Sequence, residues 1–172
     1  MEFIKCTMRH LEPAARLYAD TLSYLEATVN YPRWTKDYPS EASVREAIER
    51  GEQYACLEDG RVIGAVVLND DPRGDYGAGE WSRTLCEGEY LVIHTLAVDP
   101  SKKGRGVGGF IVDRCIEHAK KEGYAAIRID VVPDNYPALA LYKKKGFTFA
   151  GERDLKRNID FIPTFVLYEL NF

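Results

Sequence analysis

Polar and apolar residues alternate through EFIKCTM at positions 2–8, which predicts a first strand. The spacing then changes to a helical one, with Leu11, Ala14, Ala15, Tyr18, Leu22 and Leu25 marking one face of a helix that runs to about Val29. Two prolines with Tyr31, Trp34 and Tyr38 break that helix, and a second, shorter one is predicted over Ser40–Arg50, with Ser40 as N-cap and Gly51 just beyond its end. QYACLED and RVIGAVVLN read as two antiparallel strands around the hairpin signal Asp59-Gly60. From Asp70 to Gly88 the chain is polar and glycine-bearing, with Trp81 as its large apolar residue, so a long surface loop is expected there, of the kind that often serves as a lid or binding loop.

EYLVIHTLAVDP is the most apolar run and does not alternate, which predicts a central strand buried on both faces. Val107, Ile111, Cys115 and Ala119 recur at every fourth position in the helix that follows, closed by Gly123, and AAIRIDVVP is a second buried-type strand placed for parallel pairing. Asn135 is positioned to cap a last helix ending at Gly146, and FTFAGER and FIPTFVLYELNF supply two closing strands. The predicted order is β-α-α-β-β-β-α-β-α-β-β, an α/β (α+β) fold in one domain over residues 1–172, with a mixed sheet of about seven strands and about four helices.

Composition fits this picture and narrows it. The chain has 172 residues, 45% hydrophobic and 29% charged, with a formal net charge of −4, so nothing in the overall charge favours nucleic acid or an anionic membrane. No apolar window approaches the roughly 18 residues of a membrane span and the N-terminus does not read as a signal peptide, so a cytoplasmic location is expected. The four cysteines form no C-x-x-C pair and the three histidines lack metal-ligand spacing, so the thiols read as reduced core residues and no metal is expected.

The chemistry concentrates after the central strand. Lys103, Gly104, Arg105, Gly106, Val107, Gly108 and Gly109 place unhindered amides and two cations at a helix N-terminus, an arrangement suited to phosphate or pyrophosphate. The bland alternative is a tight strand-to-helix turn shaped by glycine. A nucleoside-triphosphate loop is excluded, because no G-x-x-x-x-G-K-[ST] occurs. Gly104, Gly106 and Gly109 do satisfy the dinucleotide fingerprint, with Asp130 near the ribose-acid position, but the basic lead-in DPSKK, the late position in the chain and the short remainder argue against that reading.

The strand LVIHTLAV, the turn V-D-P-S-K-K-G-R-G-V-G, the strand AAIRIDVV and the helix N-Y-P-A-L-A-L-Y-K-K-K-G-F together resemble the GNAT superfamily of N-acetyltransferases. The family's Arg/Gln-x-x-Gly-x-Gly/Ala signature aligns with Lys103, Gly106 and Gly108, where lysine replaces the usual first residue but keeps the cation. Its Asn-x-x-Ala-x-x-x-Tyr-x-x-x-Gly-Phe signature is met by Asn135, Ala138, Tyr142, Gly146 and Phe147. The segments YPRW and YLVIHTLAVDP also resemble an uncharacterised bacterial subgroup, which names no substrate.

The resemblance implies acetyl-CoA as cosubstrate, without a metal. It also implies splayed parallel strands four and five, with Leu96, Ala97 and Val98 along the pantetheine arm, the pyrophosphate on the amides from Lys103 to Gly109, and a backbone amide near Leu96 or Ala97 at the thioester carbonyl. Asn135 and Tyr142 lie two helical turns apart on one side, and Tyr142 is the expected general acid for the departing thiolate. A base must strip the ammonium acceptor: His94 is one candidate, with Glu89 and ordered water as alternatives.

For the acceptor, the candidates are Tyr24, Tyr31, Trp34 and Trp81; Tyr24, Tyr31 and Trp34, with Tyr38 and the acids Asp70, Asp71, Asp75 and Glu80, offer aromatic and acidic surroundings for a cationic amine. The competing reading, that the aromatics pack a lid or dimer contact and the acids are solvated, is the stronger one. Expected partners are a small-molecule amine and a second copy of the chain in a homodimer. A peptide N-acetyltransferase and a non-catalytic CoA sensor are the alternatives.

Overall fold

The computed structural model describes residues 1–172. Its strands and helices are β1 (Glu2–Lys5), α1 (Leu11–Ala27), α2 (Glu41–Glu49), β2 (Gln53–Glu58), β3 (Arg61–Asn69), β4 (Tyr90–Val98), α3 (Val107–Glu122), β5 (Ala126–Val131), α4 (Tyr136–Lys144), β6 (Thr148–Arg153) and β7 (Phe165–Asn171), in the order expected. The seven strands hydrogen-bond in the order β1-β2-β3-β4-β5-β7-β6. β4 and β5 pair in parallel, from Tyr90 opposite Ala126 to Val92 opposite Arg128, as the crossover through α3 requires. No helix is long and apolar enough to cross a membrane.

The chain divides into two compact units. The first comprises 1–30, 34–68 and 94–114. Its core gathers Ala14, Leu17 and Tyr18 of α1, Val44 and Ile48 of α2, and Ala55, Ala65 and Ala97 of the strands. Ser40 opens α2 as predicted, its hydroxyl accepting from the Ser43 amide at 3.3 Å. The β2–β3 hairpin turns at Asp59 and Gly60, both with positive φ, the backbone that a tight hairpin demands. Gly64 on β3 serves a different purpose, since a Cβ there would lie 2.5 Å from Cδ1 of Ile111; its absence lets α3 lie close on β3.

The second unit comprises 31–33, 69–93 and 115–172, with a core of Tyr76, Tyr90, Val92, Ala126, Val132, Ala150, Leu155, Phe165 and Leu167. The segment from Asp70 to Gly88 is the expected surface loop, mostly exposed, but two of its aromatics turn inward. Its acids are exposed, but Tyr76 is 3% exposed and Trp81 half-buried. The cause is polar as much as apolar: the Tyr76 hydroxyl donates to Asp130 at 2.7 Å, and Arg157 grips the same carboxylate through both terminal nitrogens at 2.7 Å each. Arg157 also donates to the carbonyls of Pro72 and Arg73 and lies over the Phe165 ring. Nearby, the buried Arg128 is sandwiched at 4.3 Å between Trp81 and Tyr90.

Val107, Ile111, Cys115 and Ala119 are all buried, confirming the four-residue spacing of α3. The expectation of four core thiols is corrected at one position: Cys6, Cys56 and Cys115 are buried, while Cys86 is exposed, because it lies in the polar turn that leads into β4.

Candidate active site

In the first unit, β4 carries a kink where the chemistry is expected. Thr95 has φ +46, in the left-handed region that a β-branched residue avoids, at a cost of about 1–3 kcal/mol. Its carbonyl accepts from the hydroxyl of Tyr18 at 2.9 Å, and Tyr18 is 1% exposed in the core of α1. Burial pushes that phenol well above its ordinary pKa, so it stays a donor. Directly after the kink, the Ala97 side chain enters the core while Leu96 and Val98 are half-buried.

The turn after β4 has the predicted features. Asp99 caps the short 3-10 turn Pro100–Lys102 through the Ser101 amide at 2.8 Å, and α3 begins at Val107. Gly104 (φ +80) and Gly106 (φ +79) hold backbone that other residues adopt only under strain, and a Cβ on either would project into open space. Lys103, Gly104, Arg105 and Gly106 are exposed, Gly108 and Gly109 half-buried and Val107 buried. A cradle of exposed backbone at the start of a long helix, rich in cations, fits a pyrophosphate.

Replacing Gly106 by valine puts a branched side chain into that open space on a left-handed backbone. The expected outcome is a loss of acetyl-CoA affinity of about tenfold or more in calorimetric titration, with a melting-temperature drop of only about 2–8 °C for the roughly 1–2 kcal/mol of local strain.

In the second unit, Asn135 caps α4, its side-chain oxygen accepting from the Ala138 amide at 3.3 Å. Ala138 is half-buried. Tyr142 is 6% exposed, with its ring edge-on to Phe147 at 5.3 Å, and its hydroxyl makes no hydrogen bond within the protein. Burial, with smaller contributions from Cys115 and Asp130, pushes the Tyr142 phenol well above its ordinary pKa. A protonated, unengaged hydroxyl is what a proton donor needs.

The candidate bases sit in different settings. His94 is half-buried on β4 and engaged within the protein. Glu89 is exposed before β4, where its carboxylate accepts from the Cys86 amide at 2.6 Å and closes a turn.

The four aromatics named for the acceptor each have a different neighbour. Trp34 packs edge-on to Tyr18 at 5.9 Å, and Asn30 bonds both its amide and its carbonyl. Tyr31 meets Tyr136 at 6.3 Å. Tyr24 lies under the Lys103 ammonium at 5.9 Å. Trp81 stacks on Arg128 and donates its indole N–H to the Tyr76 carbonyl. Packing therefore accounts for Trp34 and Trp81 without a ligand.

Sequence reasoning missed Glu58, Arg157 and Tyr18, whose roles depend on partners far along the chain; a charged or hydroxyl residue at a strand end or on a helix carries no local mark of them.

A family model described as the acetyltransferase (GNAT) family matches residues 9–147. An uncharacterised N-acetyltransferase of Methanocaldococcus jannaschii is 30% identical over 94 residues, 55% of this chain and 38% of that protein. A mycothiol acetyltransferase of Beutenbergia cavernae is 33% identical over 84 residues, 48% of this chain and 27% of that protein. The chain thus spans well under half the length of these curated relatives. Among solved structures, a GNAT-family acetyltransferase of Streptococcus agalactiae superposes with a TM-score of 0.82 at 18% identity, covering 99% of this chain and 95% of that one, which shows a shared fold. On the match over residues 9–147, the chain belongs to the GNAT acetyltransferase family.

Proposed function

We propose that the protein transfers an acetyl group from acetyl-CoA to the primary amine of a small molecule, by direct attack in a ternary complex. The observation that carries this is Tyr142: a buried tyrosine at the family's signature position, with no hydrogen bond to its hydroxyl within the protein and a phenol that burial holds above its ordinary pKa. Acetyl-CoA supplies an activated thioester. The amides from Lys103 to Gly109 hold the pyrophosphate, with Lys103 as its cation. By the family resemblance, Leu96, Ala97 and Val98 line the pantetheine arm, Asn135 and Ala138 are further cofactor contacts, and an amide of Leu96 or Ala97 steadies the developing oxyanion. Tyr142 returns a proton to the thiolate, while His94, Glu89 or ordered water takes one from the amine. The likeness to a mycothiol acetyltransferase supports a small molecule over a peptide as acceptor.

The test is thiol release from acetyl-CoA across a panel of polyamines, amino acids, aminoglycosides and peptides. Turnover with a small amine is expected. Turnover with peptides alone would move the acceptor to proteins, tight CoA binding with no turnover on any amine would leave a sensor, and the absence of CoA binding would overturn the proposal.

A further inference from the structure

Three cations surround the glycine turn, and two of them are already occupied. Glu58, the last residue of β2, accepts from the Lys102 ammonium through Oε2 at 2.6 Å. It also takes both terminal nitrogens of Arg105, at 3.3 Å on Oε2 and 3.2 Å on Oε1. The Glu58 side chain is only 24% exposed, and the hydrogen bond from Lys102, with the charge of Arg105, holds its carboxyl below the usual range. Lys103 has no ion-pair partner and rests over Tyr24. Sequence alone suggests a turn with all its cations available; the folded turn has one.

We infer that Glu58 sets the affinity of the glycine turn, as a built-in anion that competes with the ligand's phosphates for Arg105 and Lys102. The inference rests on the acyl-CoA assignment above. The carboxylate takes the end-on pair of guanidinium nitrogens, so a phosphate reaching Arg105 must use the remaining side-on donors beside that carboxylate or displace it. The carboxylate also places a negative charge beside the path of a polyanion. Acetyl-CoA and the product CoA carry the same phosphates, so the competition weakens the hold on both. Weaker product binding favours turnover wherever release limits the rate. Glu58 reaches the turn because the Asp59–Gly60 hairpin brings the end of β2 beside it.

The experiment is calorimetric titration of CoA into wild type, Glu58→Gln, Arg105→Ala and the double variant, at several salt concentrations. Glu58→Gln is expected to bind CoA about three- to tenfold more tightly at low salt, with a dependence of log Kd on log salt steeper by about one to two. Arg105→Ala should cost less than about twofold in wild type, but about fivefold or more once Glu58 is Gln, because only then is the guanidinium free to bind phosphate. Glu58→Ala should shift affinity in the same direction as Glu58→Gln. Asp59→Asn removes a neighbouring charge at a turn position that asparagine accepts, and should leave CoA affinity within about twofold. Equal or weaker binding by Glu58→Gln, an additive cycle, or an Asp59→Asn effect as large as that of Glu58→Gln would overturn the inference while leaving the acyl-CoA assignment intact. A wild-type protein that binds no CoA overturns both.

Discussion

Replacing Tyr142 with phenylalanine is expected to lower kcat by about 10²- to 10³-fold while leaving KM for acetyl-CoA within a few-fold, because in the proposed mechanism the lost group acts on the departing thiolate. Phenylalanine keeps the ring that packs against Phe147, so the loss is chemical and not structural. Steady-state kinetics with circular dichroism as a fold control check it, and an unchanged kcat would remove the tyrosine from the mechanism. The pH profile adds a second reading. The folded phenol titrates above its ordinary value of about 10, so in wild type it remains an acid throughout the range where an amine acceptor loses its proton. Wild-type activity should rise towards pH 9 without a falling limb from this residue. Stability has the opposite trend: a raised folded pKa means that stability is fully present below the unfolded value and is lost progressively as pH rises from there through the folded value. Tyr18, Tyr76 and Cys115 share that direction, so the protein should weaken above about pH 9–10.

The second large effect concerns stability. Arg157→Met is expected to destabilise the protein by about 3 kcal/mol, seen as a melting-temperature drop of roughly 6–12 °C. The Asp130 side chain is 8% exposed, and without Arg157 its charge would be left with the Tyr76 hydroxyl as its remaining partner. The Pro72 and Arg73 carbonyls would lose their donor at the same time. A double variant, Asp130→Asn with Arg157→Met, removes the stranded charge while Asn can still accept from Tyr76, and should recover about half of the loss or more. If the single and double variants melt together, the cost lies in packing on Phe165 and not in the charge.

These two predictions differ in how far the sequence alone supports them. Tyr142 was legible because its signature is local: the spacing from Asn135 through Ala138 to Gly146 and Phe147 sits on one short helix, and the structure bears out the helix, its cap and its end. The hairpin at Asp59-Gly60, the cap at Ser40 and the buried stripe of α3 were legible for the same reason, each being decided by neighbours within a few positions. Arg157 was not. Its partners are Asp130, Pro72, Arg73 and Phe165, brought together by the sheet and by two loops, and no local pattern distinguishes it from Lys156 or Arg153. The same blindness hid how the Asp70–Gly88 surface loop is anchored: its polarity and exposure were legible, but Tyr76 and Trp81 are drawn inward by Asp130 and Arg128, which only the fold supplies. Glu58 falls in the same class, an unremarkable acid at a strand end until the turn after β4 comes to meet it.

The kink at Thr95 has a consequence for how the site responds to its surroundings. One hydroxyl from α1 donates to the Thr95 carbonyl, and burial holds that phenol above its ordinary pKa. The bend in β4 is therefore a fixed part of the scaffold rather than a switch. In the proposed reaction, changes of pH act on the acceptor amine and on the base that receives its proton, and leave the hydrogen bond that braces the strand intact around neutrality.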